Sequence, residues 1–321
     1  MKHFLFNIVK LCGVVGAVFI ILTFVDITFI GSQYQYSYNA SLIDKMDRLK
    51  NTKSPKIILV GNSNLAFGID SEMLEEATGM PVVNMGYLAS LGNAFHEGMI
   101  KQNVGEGDLV VLAHTTYADD DKIPSIPGAW ITLDCHKELL ETMRPKDWMT
   151  ILIGYPNYIR NAILLKITGR GNQDTGDSYS RTAFNSYGDV VRRVESSQMN
   201  PDEYFSEEKE VLPEINETCV KRLNDLNQYV ESCGAKMVVV AYPIAFGKYT
   251  PFSAEDIELF EGSLEKELDC DIISNYTDYL YPYSSFYDQV YHLKREADMV
   301  HTNQVIHDIR KWENGKGHSS Y

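Results

Sequence analysis

The stretch KIILVGNSNLAFGID, Lys56 to Asp70, decides how this chain is read. Ile57, Ile58, Leu59 and Val60 form a continuous apolar run, the pattern of a strand buried on both faces. The run breaks at Gly61 into a polar cluster, Asn62-Ser63-Asn64, and a second glycine, Gly68, precedes a helix-like segment after Asp70. Glycines let a backbone turn tightly and stay close to another group. Ser63 is therefore either a nucleophile held at a strand end or a simple turn serine.

Beyond that stretch, short apolar runs alternate with helical patterns. Strands are predicted at Lys56–Val60, Val82–Met85, Leu109–Ala113, Met237–Ala241 and Ile272–Ser274. Helices are predicted over Ser71–Thr78, Ala89–Gln102, Asn216–Ser232, Ala254–Leu268 and Lys294–Trp312. This alternation predicts an α/β fold, a three-layer α/β/α sandwich on a central parallel sheet of about five strands. Ligands of such sheets sit beyond the carboxyl ends of the strands, where Ser63 falls.

The 321 residues suit one large domain or two small ones. Hydrophobic residues make up 44%, enough for a sizeable core. The net charge of -15 lacks the basic footprint that phosphate binding needs, so no nucleic-acid partner is expected.

The N-terminus differs in kind. Leu11 to Val25 is apolar apart from Gly and Thr, and Phe4 to Val9 extends the run backwards. About 20 such residues span a bilayer. Lys2, His3 and Lys10 precede or enter the run and Asp26 follows it, which sets the N-terminus in the cytoplasm and the rest outside. Phe24-Val25-Asp26-Ile27 lacks a small-x-small cleavage site, so an uncleaved single-pass anchor in contact with membrane lipid is expected. The organisation reads as an anchor over 1–31, a polar juxtamembrane stalk or short helix (Leu42–Leu49) over 32–55, and a globular domain over 56–316. A short tail, 317–321, closes the chain.

Tyr117 to Pro213 is too long for a simple crossover and reads as a helical insertion, a lid or subdomain over the strand ends. It carries helical patterns at Lys137–Met143 and Trp148–Ile167. The second is apolar enough to suggest another span, but Pro156, Asn157, Arg160 and Asn161 at its middle oppose that. A buried helix, or one lying on the membrane surface, fits better.

A serine needs a base to take its proton. Late in the chain, "YDQVYHL" supplies Asp288 and His292, just before the last predicted helix. "GNSNLAFG" followed by "YDQVYHL" resembles the SGNH/GDSL hydrolase superfamily. That resemblance implies the α/β/α sandwich, with Ser63 as nucleophile, His292 as general base and Asp288 orienting it. "VVNMGYLASLG" resembles the second family block, which implies that the Gly86 N–H joins the Ser63 N–H in holding an oxyanion. Asn62 stands where the family usually has Asp. The third block normally supplies an Asn donor; here strand three ends "VVLAHTTYADD", and His114, Thr115 or Thr116 is the stand-in. The Asp–His spacing is one residue longer than usual. A literal Asp-x-x-His occurs at Asp298 and His301, but "HLKREA" after His292 fits the family context better. Asn62, Asn64 and Tyr117 are the expected substrate contacts beside Ser63.

The resemblance extends to membrane-anchored proteins that O-acetylate alginate or help place D-alanine on teichoic acids beside a multi-span membrane acyltransferase. It implies an esterase or O-acyltransferase acting on a glycan or acyl-ester substrate of the envelope, with no cofactor. A catalytically inactive scaffold is the alternative.

Other residues have plainer readings. No Cys-x-x-Cys pair exists, so Cys135, Cys219, Cys233 and Cys270 are expected as half-buried thiols and no metal site is expected. His96 reads as a surface or packing histidine, and His136, His307 and His318 as solvated. Asp119, Asp120 and Asp121 lack calcium-loop spacing. Tyr117, Tyr155, Tyr158 or Tyr187 could line a glycan groove. Phe184 to Asp189 reads as a turn at the active-site rim.

Overall fold

A computed structural model describes the chain except residues 1, 119–121, 137–138, 140–143, 194–199, 201–211, 213, 249, 251 and 317–321. The strands are β1 (Ile57–Gly61), β2 (Val82–Asn84), β3 (Leu109–Ala113), β4 (Lys236–Val239), β5 (Ile244–Ala245), β6 (Asp271–Ile272) and β7 (Leu280–Tyr281). The α-helices are α1 (Lys2–Val25), α2 (Ser41–Asn51), α3 (Ser63–Gly68), α4 (Ser71–Thr78), α5 (Asn93–Lys101), α6 (Ile126–Cys135), α7 (Pro145–Thr168), α8 (Glu217–Ser232), α9 (Ala254–Glu267) and α10 (Arg295–Lys316).

Five strands form one parallel sheet in the order β2-β1-β3-β4-β6. The continuous apolar runs explain why: every residue of β1 and β3 is buried, as parallel central strands require. The register runs from Ile57↔Leu109 to Gly61↔Ala113, so β1 and β3 end level. The chain leaves β1 for β2 on one side, then crosses back to β3 on the other. Connections therefore diverge beyond the carboxyl ends of β1 and β3, and Ser63 stands at that switch point. Gly61 is required there: a Cβ would lie 2.6 Å from Ala113 O.

The predicted helix over Ala89–Gln102 is interrupted. Gly92, at φ 82°, separates a 3-10 turn, Ala89–Leu91, from α5.

The segment 32–55 is not a free stalk. Within it, Leu42, Lys45, Met46 and Leu49 fall at the i, i+3, i+4, i+7 spacing of one helix face, and all four are buried. Arg48 Nε donates to Val82 O at 2.8 Å, and Lys45 Nζ donates to Asn84 O at 2.9 Å. The short-helix reading of Leu42–Leu49 is thus the one that holds; the polar composition hid only that one face of the helix is buried.

With the π-turn that continues it, α1 spans 29 residues, Lys2–Ile30, and is long and apolar enough to cross a membrane. Its exit is clamped. Asp134 of α6 accepts from Ser32 Oγ at 2.5 Å, Gln33 N at 2.9 Å and Tyr34 N at 3.1 Å. Tyr158 of α7 donates to the other oxygen of Asp134. A second apolar cluster joins Ile30 to Tyr155, Tyr158, Ile159 and Ala162 of α7, with Phe19, Leu22 and Val25 of α1 against it.

The Asn185–Val190 stretch of the insertion is tied to β2, α3 and α4. Asp189 accepts from Ser71 N, Ser71 Oγ, Asn84 Nδ2 and Asn185 Nδ2. Val190 N donates to Ala66 O at 2.7 Å, and Asn84 N donates to Tyr187 O at 3.1 Å. The Phe184–Asp189 turn thus acts as a clasp through its buried end, Gly188 and Asp189, while Ser186 is exposed. The predicted helix over Lys137–Met143 falls almost wholly outside the described residues. Cys219, Cys233 and Cys270 are free thiols, as is Cys12 in α1.

Candidate active site

Asn62 is the extended N-cap of α3, so Ser63 opens a helix at the end of β1. The first amides of a helix have no intrahelical acceptor, which leaves the Ser63 N–H facing outward. Ser63 is partly exposed, whereas the His292 ring is buried to 1% exposure. The His292 Nε2 lies 2.8 Å from Ser63 Oγ, and its Nδ1 lies 2.8 Å from Asp288 Oδ1. With the proton on Nδ1 held by Asp288, Nε2 is free to accept the serine proton.

A tight loop sets this aim. Tyr287 N donates to His292 O at 2.7 Å, Lys294 N to Ser285 O at 2.9 Å, and His292 N to Gln289 O at 3.0 Å. The extra residue between Asp288 and His292 is absorbed in that loop. Both side chains still turn to one side.

Burial pushes His292 below the ordinary histidine range. The Asp288 carboxylate opposes this, and the Arg193 guanidinium adds to it. Phe67 stacks flat on the ring, centroids 3.8 Å apart and planes 5° apart. Arg193 lies 5.7 Å over the Phe67 ring and pairs with Asp298 at 2.6 Å. A cation behind the stack disfavours imidazolium, so the ring stays neutral and basic at neutral pH.

Four of these residues had no part in the sequence reading. Phe67 sits one helical turn after Ser63, so i, i+4 spacing on α3 could have found it. Tyr179, from the insertion, donates its hydroxyl to Asp288 Oδ2 and lies 3.3 Å from His292 Nδ1. Gln289 Nε2 lies 3.2 Å from His292 Nδ1. Gln289 stands inside the YDQVYHL motif, next to Asp288; for Tyr179 and Arg193 the chain offers no local signal.

Several expected site residues are corrected. The Gly86 N–H donates to Asn84 Oδ1 at 2.8 Å and is not available to an oxyanion. Gly86 is small for another reason: a Cβ would lie 2.7 Å from Ala66 N and Leu65 Cβ. Tyr117 is fully buried, with its hydroxyl 3.4 Å from that of Tyr276, and cannot touch a substrate. Asn64 is buried and donates to Ala113 O at 3.0 Å, tying α3 to β3. Asn62 Nδ2 donates to Thr115 Oγ1 at 2.9 Å, which leaves the Thr115 hydroxyl proton for another acceptor. Asn62 Oδ1 is buried with no partner among the described residues.

His114 is fully buried and held by Glu97 at 3.0 Å, with Arg222 on the other carboxylate oxygen at 2.6 Å. That excludes it as the stand-in donor. The Thr116 carbonyl accepts from Asn93 and its hydroxyl accepts from Ala118 N, so it too keeps a hydroxyl proton, but only the Thr115 hydroxyl is tied to Asn62 beside Ser63. His301 Nδ1 lies 2.7 Å from Gly68 O. His96 and His136 are buried rather than at the surface, His307 is exposed, and His318 lies outside the described residues, as do Asp119, Asp120 and Asp121. Tyr155 and Tyr158 face α1, and Tyr187 packs under Arg48, so none lines a groove at Ser63.

No protein-family model, no characterised protein and no solved structure matches this chain.

Proposed function

We propose that this chain is an SGNH-type serine esterase or O-acyltransferase, built as a three-layer α/β/α sandwich and anchored in a membrane by α1. The observation that carries the reading is the aligned row of Ser63 Oγ, His292 and Asp288, each contact 2.8 Å, at the sheet's switch point. Ser63 Oγ attacks an ester carbonyl while His292 Nε2 takes its proton. The Ser63 N–H and the Thr115 hydroxyl hold the oxyanion, each such donor worth about 3 kcal/mol. Collapse breaks the ester C–O bond, and the leaving alkoxide takes the proton from His292 Nε2 to depart as the alcohol. The acyl-serine then passes its acyl group to water or to a sugar hydroxyl, with His292 again accepting the proton.

The substrate class is an acyl ester of a cell-envelope or exported polysaccharide, reached by an extracytoplasmic domain with the N-terminus in the cytoplasm. Lys2, His3 and Lys10 support that orientation. A multi-span acyltransferase is the natural partner for a transferase of this kind.

The occupied Gly86 amide favours a second reading, a non-catalytic binding protein of polysaccharide assembly on the same scaffold. A fluorophosphonate probe separates the two. Labelling of the folded wild type and none of Ser63→Ala supports the enzyme; no labelling, or equal labelling of both, refutes it. In cells, the acetyl content of the surface glycan falls in a Ser63→Ala strain, and an unchanged level counts against acyl transfer.

A further inference from the structure

We infer that α7 is a second membrane-contacting element, lying in the lipid headgroup layer beside α1 with its outward face against acyl chains. The inference rests on the reading of α1 as the anchor. Met149, Ile153, Leu164 and Ile167 are 67%, 74%, 61% and 78% exposed, and at 3.6 residues per turn they share one face of α7. Among the described residues they are not part of either apolar cluster. The opposite face, Tyr155, Tyr158, Ile159 and Ala162, packs on the last turns of α1, with Tyr155 stacked on Phe19 at 6.1 Å and 14°.

That contact fixes the height of α7. The 29 residues Lys2–Ile30 are about 43 Å long at 1.5 Å per residue, against a hydrocarbon core of about 30 Å. The surplus length stands in the headgroup layer, and α7 packs along it. Ile20, Phe24, Ile27 and Phe29 of α1 are likewise exposed, so both helices present apolar side chains outward.

Charge selects lipid as the occupant. In a chain of net charge -15, α7 carries Lys146, Arg160 and Lys166 against Asp147 alone. Arg160 is exposed at the middle of the apolar face. A guanidinium there is costly in a bilayer centre but suits an interface, where its stem lies on acyl chains and its head reaches phosphate. Pro156 and Asn157, beside it, equally oppose a second crossing.

The test is tryptophan quenching of the full chain in nanodiscs of phosphatidylcholine and phosphatidylglycerol, with plain or brominated acyl chains. Ile153→Trp and Ile167→Trp probe α7, Ile20→Trp probes α1, and Leu259→Trp on α9 is the aqueous control; circular dichroism checks folding of each. The apolar face of an interfacial helix sits roughly 5–10 Å into the headgroup–acyl boundary, so bromine lowers the emission added at 153 and 167 about twofold. The emission added at 259 stays unchanged. If position 20 is quenched while 153 and 167 behave like 259, the inference fails and the anchor stands. It fails too if 153 and 167 are shielded from aqueous iodide yet untouched by bromine, because a protein surface then covers α7. If position 20 is not quenched, the anchor reading falls first and this one with it.

Discussion

His292 and His301 hold opposite ends of the same short helix. His292 meets the Ser63 hydroxyl at the start of α3, and His301 meets the Gly68 carbonyl at its end. Both rings are almost completely buried. Their carboxylates differ. Asp288 faces His292 from a loop, whereas Asp298, which precedes His301 in an Asp-x-x-His pattern, turns to Arg193 at 2.6 Å and Arg295 at 3.3 Å. His301 instead has the Tyr279 and Tyr281 rings edge-on and is pushed by burial down to about 4. A histidine beside a helix carbonyl is a structural strut. One between a carboxylate and a hydroxyl can move a proton.

The largest expected effect tests that contrast directly. His292→Gln lowers kcat/KM on an activated ester roughly 10⁴-fold, whereas His301→Gln leaves it within about threefold. Equal losses would erase the distinction. Next come the two aspartates. Asp288→Asn costs about 10³–10⁴ in kcat by releasing the imidazole. Asp298→Asn spares the rate but lowers unfolding free energy by about 3 kcal/mol in denaturant melts, because Arg193 loses a buried partner.

Tyr179→Phe is smaller, about a tenfold loss in kcat, of the order of general acid–base tuning. The depressed His292 sets the rate's acid limb below the ordinary histidine value of about 6.5, because only the neutral ring accepts a proton. Without the Tyr179 hydroxyl, Asp288 holds the imidazolium more strongly, so the limb moves up in pH. A limb that moves down would contradict this role.

The smallest effect is one of stability. His301 stays neutral when folded and protonates when unfolded, so its contribution is full above about 6.5 and is lost as pH falls toward about 4. Thermal melts of His301→Gln between those values show a shallower acid decline than wild type.

The inner strands of the sheet were legible because they are apolar runs set off by turn residues; the edge strand β6, Asp271–Ile272, is too short to form such a run. Ser63, Asp288 and His292 were legible because strand end, chain order and the approach to the last helix are all sequence features. Gly86 shows the limit. A glycine after a strand announces that something comes close, but not whether it is a ligand or, as here, the backbone of α3. Tyr117 was a groove candidate, but His114, Phe260 and Tyr276, the last two distant in sequence, pack against it and bury it. The stripe on α2 was masked by its polar neighbours. Tyr179 lies more than a hundred residues from Asp288, and nothing local marks the pairing.

The Asp134 clamp on Ser32, Gln33 and Tyr34 has a consequence for encounter. A flexible tether would let a catalytic domain sweep a hemisphere and find substrate at many distances. Here the joint is stiff, so with α1 in a bilayer Ser63 travels in a plane at one altitude. On the proposed reading its search would be two-dimensional, and acyl groups emerging at another altitude would go unmet, however abundant.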